Sequence, residues 1–230
     1  MKPIVLIPAR GGSKRIPRKN IVEISGQSAL TILILKLTRM NLFEEIVVST
    51  DDDEISQISR SAGASVIKRS SPELSNDVTP SEDVVRDFIK VRDLENSENS
   101  VLCVYPLALL LSDTEIIEAI NFLKESPEKF VISAGESPVN PLRHNFKIDG
   151  STISVLFPEN NEKRSQDLEK VFFDVGMFYL AYPKTWMDPK RYWYLNNSRV
   201  VVIPQEKCID VDTEEDLIKL KIQYAKTILH

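Results

Sequence analysis

Pro3-Ile4-Val5-Leu6-Ile7-Pro8-Ala9-Arg10-Gly11-Gly12-Ser13-Lys14-Arg15-Ile16-Pro17-Arg18-Lys19-Asn20 begins as an apolar run and ends as a basic loop. Ile4 to Ile7 has the length and composition of a short buried strand, which Pro8 breaks. The loop then carries Arg10, Lys14, Arg15, Arg18 and Lys19, five cations in a chain whose formal net charge is −5. A loop at the carboxyl end of a buried strand is where open α/β sheets bind ligands. Gly11 and Gly12 let backbone N–H groups approach an anion with no Cβ in the way. The ligand implied is a polyphosphate, although a charge run by itself is also what a solvated loop after an edge strand looks like. The spacing excludes both a P-loop, which needs Gly-Lys-Ser/Thr at the start of a helix, and the dinucleotide G-x-G-x-x-G. Pro8 and Pro17 stiffen the two ends of the loop, which lowers the ordering cost of binding.

Beyond this stretch, 230 residues suit one α/β domain, or one domain with a small lobe. A pI near 5.3 argues against nucleic acid as a partner. The longest apolar run, Val101 to Leu111, is interrupted by Pro106 and is too short to span a membrane. Met1-Lys2-Pro3 leads straight into a strand, which predicts no signal peptide and, by default, a cytoplasmic location. Cys103, in an apolar run, and Cys208, far along the chain, form neither a disulfide framework nor a metal cluster.

In order, the chain alternates strands and helices. Ser28 to Leu37 is apolar nearly all round and predicts a buried helix. Ile46–Ser49 is a strand, and Asp51 with Glu54 fits a capping box for a helix to about Ala62. Ser65–Lys68 is a third strand. Thr79-Pro80-Ser81-Glu82 supplies a cap, a first-turn proline and a glutamate for the helix whose stripe is Val84, Val85, Phe88, Ile89 and Val91. Val101–Tyr105 and Phe130–Ala134 read as strands on either side of a helix capped at Ser112 to Glu115. This βαβ rhythm predicts an α/β fold, a mostly parallel sheet with helices on both faces. It breaks from Ser137 to about Lys170, where a hairpin around Asp149-Gly150 joins Phe146–Ile148 to Thr152–Val155. Residues 1–136 and 171–230 are therefore expected to form the α/β domain and 137–170 an insertion. Strands at Gly176–Ala181 and Val200–Ile203 and a helix from Thr213 to about Leu229 complete the chain.

In Ile209-Asp210-Val211-Asp212-Thr213, extended alternation would put Asp210 and Asp212 on one face, close enough to share Mg²⁺. Asp212 with Glu215 also fits a capping box for the last helix, and the two roles can coexist. Arg164 suits a carboxylate or phosphate, or is one more surface cation.

The stretch Ile7 to Asn20 resembles the first signature of the CMP-sugar-acid synthetases, the acylneuraminate cytidylyltransferases, and its Gly-Gly-Ser-Lys-Arg-Ile-Pro form is most similar to the pseudaminic acid branch. The resemblance implies a Rossmann-like nucleotidyltransferase that moves CMP from CTP to the anomeric hydroxyl of a nonulosonic acid, pseudaminic acid first, with legionaminic, N-acetylneuraminic or another acid as alternatives. A nucleotide-binding relative without turnover is a further alternative. The resemblance assigns Ala9, Arg10, Gly11, Gly12, Ser13, Lys14, Lys19 and Asn20 to the nucleotide. Arg10, Lys14 and Lys19 would neutralise the triphosphate, with Arg15 and Arg18 as helpers, and Arg69 and Ser81 would read the cytosine base around the loop Pro72 to Ser81. Asp210 and Asp212 match the family's Mg²⁺-binding signature, and these five (Arg10, Lys14, Lys19, Asp210, Asp212) are the expected catalytic set. Arg164-Ser165-Gln166-Asp167-Leu168 and Asp174-Val175-Gly176-Met177-Phe178-Tyr179 resemble paired runs of the pseudaminic branch, which puts Tyr105, Arg164, Gln166 and Asp174 on the sugar acid. The inserted segment corresponds to an arm that packs across a partner, implying a homodimer. Leu107, Leu109 and Met177 depart from the polar residues usual at a substrate-facing strand end and put the acid's identity in doubt.

Overall fold

A computed structural model describes residues 1–76, 78–190 and 198–228. Asp77, Leu229 and His230 lie outside the described residues. Strand β1 (Ile4–Pro8) shows why the chain folds in three layers. Ile4 and Leu6 pack into one hydrophobic cluster, Val5 and Ile7 into another, and all four are buried. A strand that is apolar on both sides must sit in a sheet covered on both faces.

A short β2–β3 pairing (Glu23–Ile24 with Gln27–Ser28) leads into α1 (Ala29–Met40). Then come β4 (Glu45–Thr50), α2 (Asp53–Ser61), β5 (Ser65–Lys68), α3 (Ser81–Val91), β6 (Val101–Val104), α4 (Asp113–Glu125) and β7 (Val131–Glu136). A separate hairpin of β8 (Phe146–Asp149) and β9 (Thr152–Val155) precedes β10 (Phe172–Ala181), α5 (Pro183–Met187), β11 (Arg199–Ile203) and α6 (Glu214–Ile228). The main sheet runs β11-β7-β10-β6-β1-β4-β5. All its neighbours pair in parallel except β10, which is antiparallel to both β6 and β7. Helices α1, α2, α4 and α6 contribute to the core on the Val5 face; α3 and α5 cover the Leu6 face. No helix among the described residues is long and apolar enough to cross a membrane.

Three helix starts differ from the sequence patterns. The cap of α2 is Asp52, not Asp51; its carboxylate accepts from the Ile55 N–H at 2.9 Å. Helix α3 begins at Ser81 with Pro80 as its cap residue, and the Thr79 hydroxyl turns away to donate to the Glu73 carbonyl at 2.7 Å. At α6 the reciprocal pair is Thr213 with Asp216: the Asp216 carboxylate accepts from the Thr213 N–H at 3.1 Å, and the Thr213 hydroxyl accepts from the Asp216 N–H at 3.3 Å. Asp212 is thereby released from capping. The Glu115 carboxylate does accept from the Ser112 N–H at 2.7 Å, as expected for α4.

Candidate active site

The strand ends of β1 and β6 open onto one cavity of about 660 Å³. The loop after β1 forms one wall. Ala9 donates its N–H to the Ser49 carbonyl at 2.9 Å, and the Asn20 amide closes the loop by donating to the Arg10 carbonyl at 2.9 Å. Arg10, Ser13, Lys14, Arg15, Lys19 and Asn20 line the cavity. Arg18 does not; it clasps Asp52 at 2.5 Å and also pairs with Glu54, and that hydrogen bond holds the Asp52 carboxyl below the ordinary range. Ala9 is fully buried, and neither Gly11 nor Gly12 lines the cavity.

The two aspartates arrive from the far end of the chain. Val211 is buried between them, while Asp210 is exposed and Asp212 half-buried. Asp210 lines the cavity, while Asp212 lies against the basic loop, 2.7 Å from Arg15 and 3.4 Å from Lys19. Loss of hydration at the cavity wall, with the charge of Asp212 nearby, raises the Asp210 pKa.

Arg69 is buried and already employed. Its guanidinium donates to the Leu74 carbonyl at 2.6 Å and to Ser75 Oγ at 3.2 Å, with longer bonds to Ser49. Burial pushes its pKa down, partly opposed by Asp51. It thus fixes the 70–76 loop that carries Leu74 and Asn76 to the cavity. Ser81, at the first turn of α3, accepts from the Tyr105 hydroxyl at 2.5 Å.

The opposite wall is built by an irregularity in β10. Pairing with β7 shifts register between Asp174 and Tyr179, and Gly176 sits at φ +66°, in the left-handed region. The Ser133 hydroxyl fills the break by accepting the N–H groups of Met177 at 3.1 Å and Phe178 at 3.2 Å. The bulge brings Asp174, Val175, Gly176 and Met177 to the cavity together with Tyr179, whose hydroxyl donates to Asp174 at 2.5 Å. Of the departures noted in the sequence, Leu107 and Met177 line the cavity. Leu109 does not: it is fully buried in the core, its carbonyl accepting from the Lys36 ammonium at 2.7 Å. Arg164 and Gln166 are exposed in the 137–170 segment and do not line the cavity. Sequence reasoning passed over Ser133, Tyr179 and Asn76 as site residues. Asn76 and Tyr179 fall in stretches singled out there, the loop Pro72 to Ser81 and the run from Asp174; Ser133 acts from across the sheet and leaves no local signal.

The architecture and the basic strand-end loop define an α/β nucleotidyltransferase. The structure superposes on a CMP:2-keto-3-deoxy-manno-octonic acid synthetase complexed with CTP (TM-score 0.71, 16% identity, 99% of this chain and 100% of that one). It also superposes on the 4-diphosphocytidyl-2C-methyl-D-erythritol synthase of Anaerococcus prevotii (TM-score 0.61, 18% identity, 98% and 99%). Residues 4–171 match the cytidylyltransferase family, and the chain belongs to it. It is 34% identical over 226 residues to the pseudaminic acid cytidylyltransferase of Campylobacter jejuni serotype O:2, covering 97% of each chain. It is 30% identical over 221 residues to the N-acylneuraminate cytidylyltransferase of Streptococcus agalactiae serotype V, covering 95% of this chain and 52% of that one.

Proposed function

We propose that this chain transfers CMP from CTP to the anomeric hydroxyl of a nonulosonic acid, pseudaminic acid being the first candidate, with release of pyrophosphate. The observation that carries this reading is the convergence on one cavity of the cations Arg10, Lys14, Arg15 and Lys19, the carboxylate of Asp210, and the polar Ser81, Tyr105, Tyr179 and Asp174. The relatives at 34% and 30% identity carry the matching names.

In this reading Arg10, Lys14 and Lys19 hold the triphosphate in place and offset the charge that grows on the departing pyrophosphate. The loop around Arg69 and Ser81 receives the cytosine, and Tyr105 and Asp174 orient the sugar acid. The sugar hydroxyl oxygen forms a bond to the α-phosphorus as the bond from that phosphorus to the oxygen bridging it to the β-phosphorus breaks; pyrophosphate leaves with the bridging oxygen and the hydroxyl proton passes to solvent. Asp210 and Asp212 suit Mg²⁺. Among the described residues no group of three or more acidic, histidine or cysteine side chains is placed to hold a metal ion, and Mg²⁺ commonly takes one or two carboxylates with phosphate oxygens completing its shell. When bound there it would supply charge neutralisation at the triphosphate.

We further take residues 137–170 to be an arm inserted into the α/β domain of 1–136 and 171–230, carrying Arg164 and Gln166 to the sugar acid of a partner in a homodimer. Support comes from the β8–β9 hairpin, which stands apart from the main sheet and exposes Phe146, Ile148 and Ile153. The cytosol is the compartment proposed, in keeping with two free cysteines.

The test is pyrophosphate release from CTP and Mg²⁺ with pseudaminic, legionaminic, N-acetylneuraminic and 2-keto-3-deoxy-manno-octonic acids, with UTP and ATP as controls. Release with CTP and one acid is expected. Silence with every acid in protein that binds CTP would favour a non-catalytic role, for which the apolar Leu107 and Met177 on the cavity wall are the structural argument.

A further inference from the structure

The basic loop is gripped from one side, the connection between β4 and α2. Besides the Ala9 bond to Ser49, Gly11 donates its N–H to Asp51 Oδ1 at 3.2 Å, and Arg18 donates to both carboxylate oxygens of Asp52, at 2.5 and 3.0 Å. Asp52 is itself immobilised, because the same carboxylate caps α2 through Ile55 and its N–H donates to Thr50 Oγ1 at 3.1 Å. The loop in turn is shaped around Asp52. A Cβ on Gly11 would stand 2.9 Å from the Asp52 Cβ and closer still to Oδ2, a separation at which something must move. Arg18 sits at φ +55°, a left-handed conformation that a side-chain-bearing residue keeps only where its contacts over-determine it. The paired grip of Asp52 and Glu54 supplies those contacts.

We propose that Asp52 is a positioning residue for the nucleotide: it occupies the space a side chain at position 11 would need and anchors Arg18 at the loop's far end, so that the intervening cations face the cavity. This rests on the reading that the loop holds a triphosphate. Asp52 does not line the cavity and acts only through the loop. It follows that the glycine at position 11 answers to the carboxylate at position 52 rather than to the anion, since the Gly11 N–H is already taken by Asp51.

The test is calorimetric titration of the full chain with CTP and with inorganic tripolyphosphate, together with thermal melting. Asp52→Ser keeps a capping hydroxyl for α2 and the Cβ beside Gly11 but releases Arg18. It is expected to weaken binding of both ligands about tenfold while the melting midpoint changes little. Gly11→Ala is expected to weaken binding by at least about as much, and the Gly11→Ala/Asp52→Gly double variant to bind as well as Asp52→Gly alone, because glycine, a tolerated cap, removes the Cβ that an alanine at position 11 would meet, so that the two changes share one contact and are not additive. Unchanged affinity in Asp52→Ser, or additive losses in the double variant, would overturn the proposal while leaving the proposed function standing. Failure of the unsubstituted protein to bind either CTP or tripolyphosphate would overturn the reading beneath both. Should Gly11→Ala fail to fold, the Asp52→Ser affinity alone decides.

Discussion

The Arg15 guanidinium lies 2.7 Å from the Asp212 carboxylate, joining the first loop of the chain to its last connection. Under the proposed function a divalent cation and Arg15 compete for the same oxygens. Both side chains are substantially exposed, at 68% and 39%, so the pair is worth at most about 1 kcal/mol. Arg15→Ala should therefore lower the Mg²⁺ concentration for half-maximal pyrophosphate release by about two- to fivefold. A Mg²⁺ titration of the two proteins checks this; an unchanged or higher requirement would remove Asp212 from the metal.

Asp212 also meets Lys19, at 3.4 Å, and is released from capping α6 by the Thr213–Asp216 pair. Its replacement should leave the fold intact while removing a charge from the reacting end of the site. Asp212→Asn is expected to cut turnover about a hundredfold, on the scale of losing one preorganised electrostatic contact, with CTP affinity kept within about tenfold. Steady-state kinetics and CTP titration read the two separately, and full activity in this variant would sink the metal assignment.

Tyr105 and Tyr179 meet edge to face, ring centroids 6.0 Å apart. Burial raises both phenol pKa values above their ordinary value near 10, and the carboxylate of Asp174 adds to the rise at Tyr179. The folded protein therefore keeps these protons where the unfolded chain gives them up. The stability they contribute is fully present below about pH 10 and is lost as pH rises beyond it. Urea unfolding should give a steady free energy at mildly alkaline pH and a fall on the order of 1–2 kcal/mol per pH unit above about pH 10. The Tyr105→Phe/Tyr179→Phe protein should lack most of that slope; an equal slope would show that other groups cause it.

The same region marks what the sequence could and could not say. β1 and β6 are legible because each is apolar along its length, and only a sheet covered on both faces tolerates that. The basic loop and the D-x-D pair are legible because charge density and period-two spacing are local properties. Direction within a row of like residues is not local. Asp51, Asp52 and Asp53 are consecutive, and the backbone turn, fixed by Thr50 Oγ1, makes the second of them the cap. Leu107 and Leu109 have the same composition and opposite fates, because the chain turns between them and Lys36, from a distant helix, pins the Leu109 carbonyl. The register shift in β10 depends on Ser133 across the sheet, a partner that no window along the chain contains.

The hairpin offers a test of the proposed assembly. Ile148 and Ile153 are directly paired across β8 and β9, and they are 72% and 62% exposed. Two large aliphatic side chains side by side on an exposed two-stranded ribbon bury little within the chain, and such a ribbon is marginal without a surface to pack on. In a homodimer that uses the arm, each contributes about 25 cal/mol for every Å² of apolar surface it loses. Ile148→Asp with Ile153→Lys replaces that apolar pair by a cross-strand charge pair, which the hairpin tolerates and an apolar interface does not. The substituted protein is expected to elute as a monomer at micromolar concentration, where the parent elutes as a dimer, with its melting curve for the α/β core little altered. Dimeric elution of both proteins would place the interface elsewhere. Monomeric elution of both would remove the partner from the proposed site and leave Arg164 and Gln166 without a route to the sugar acid.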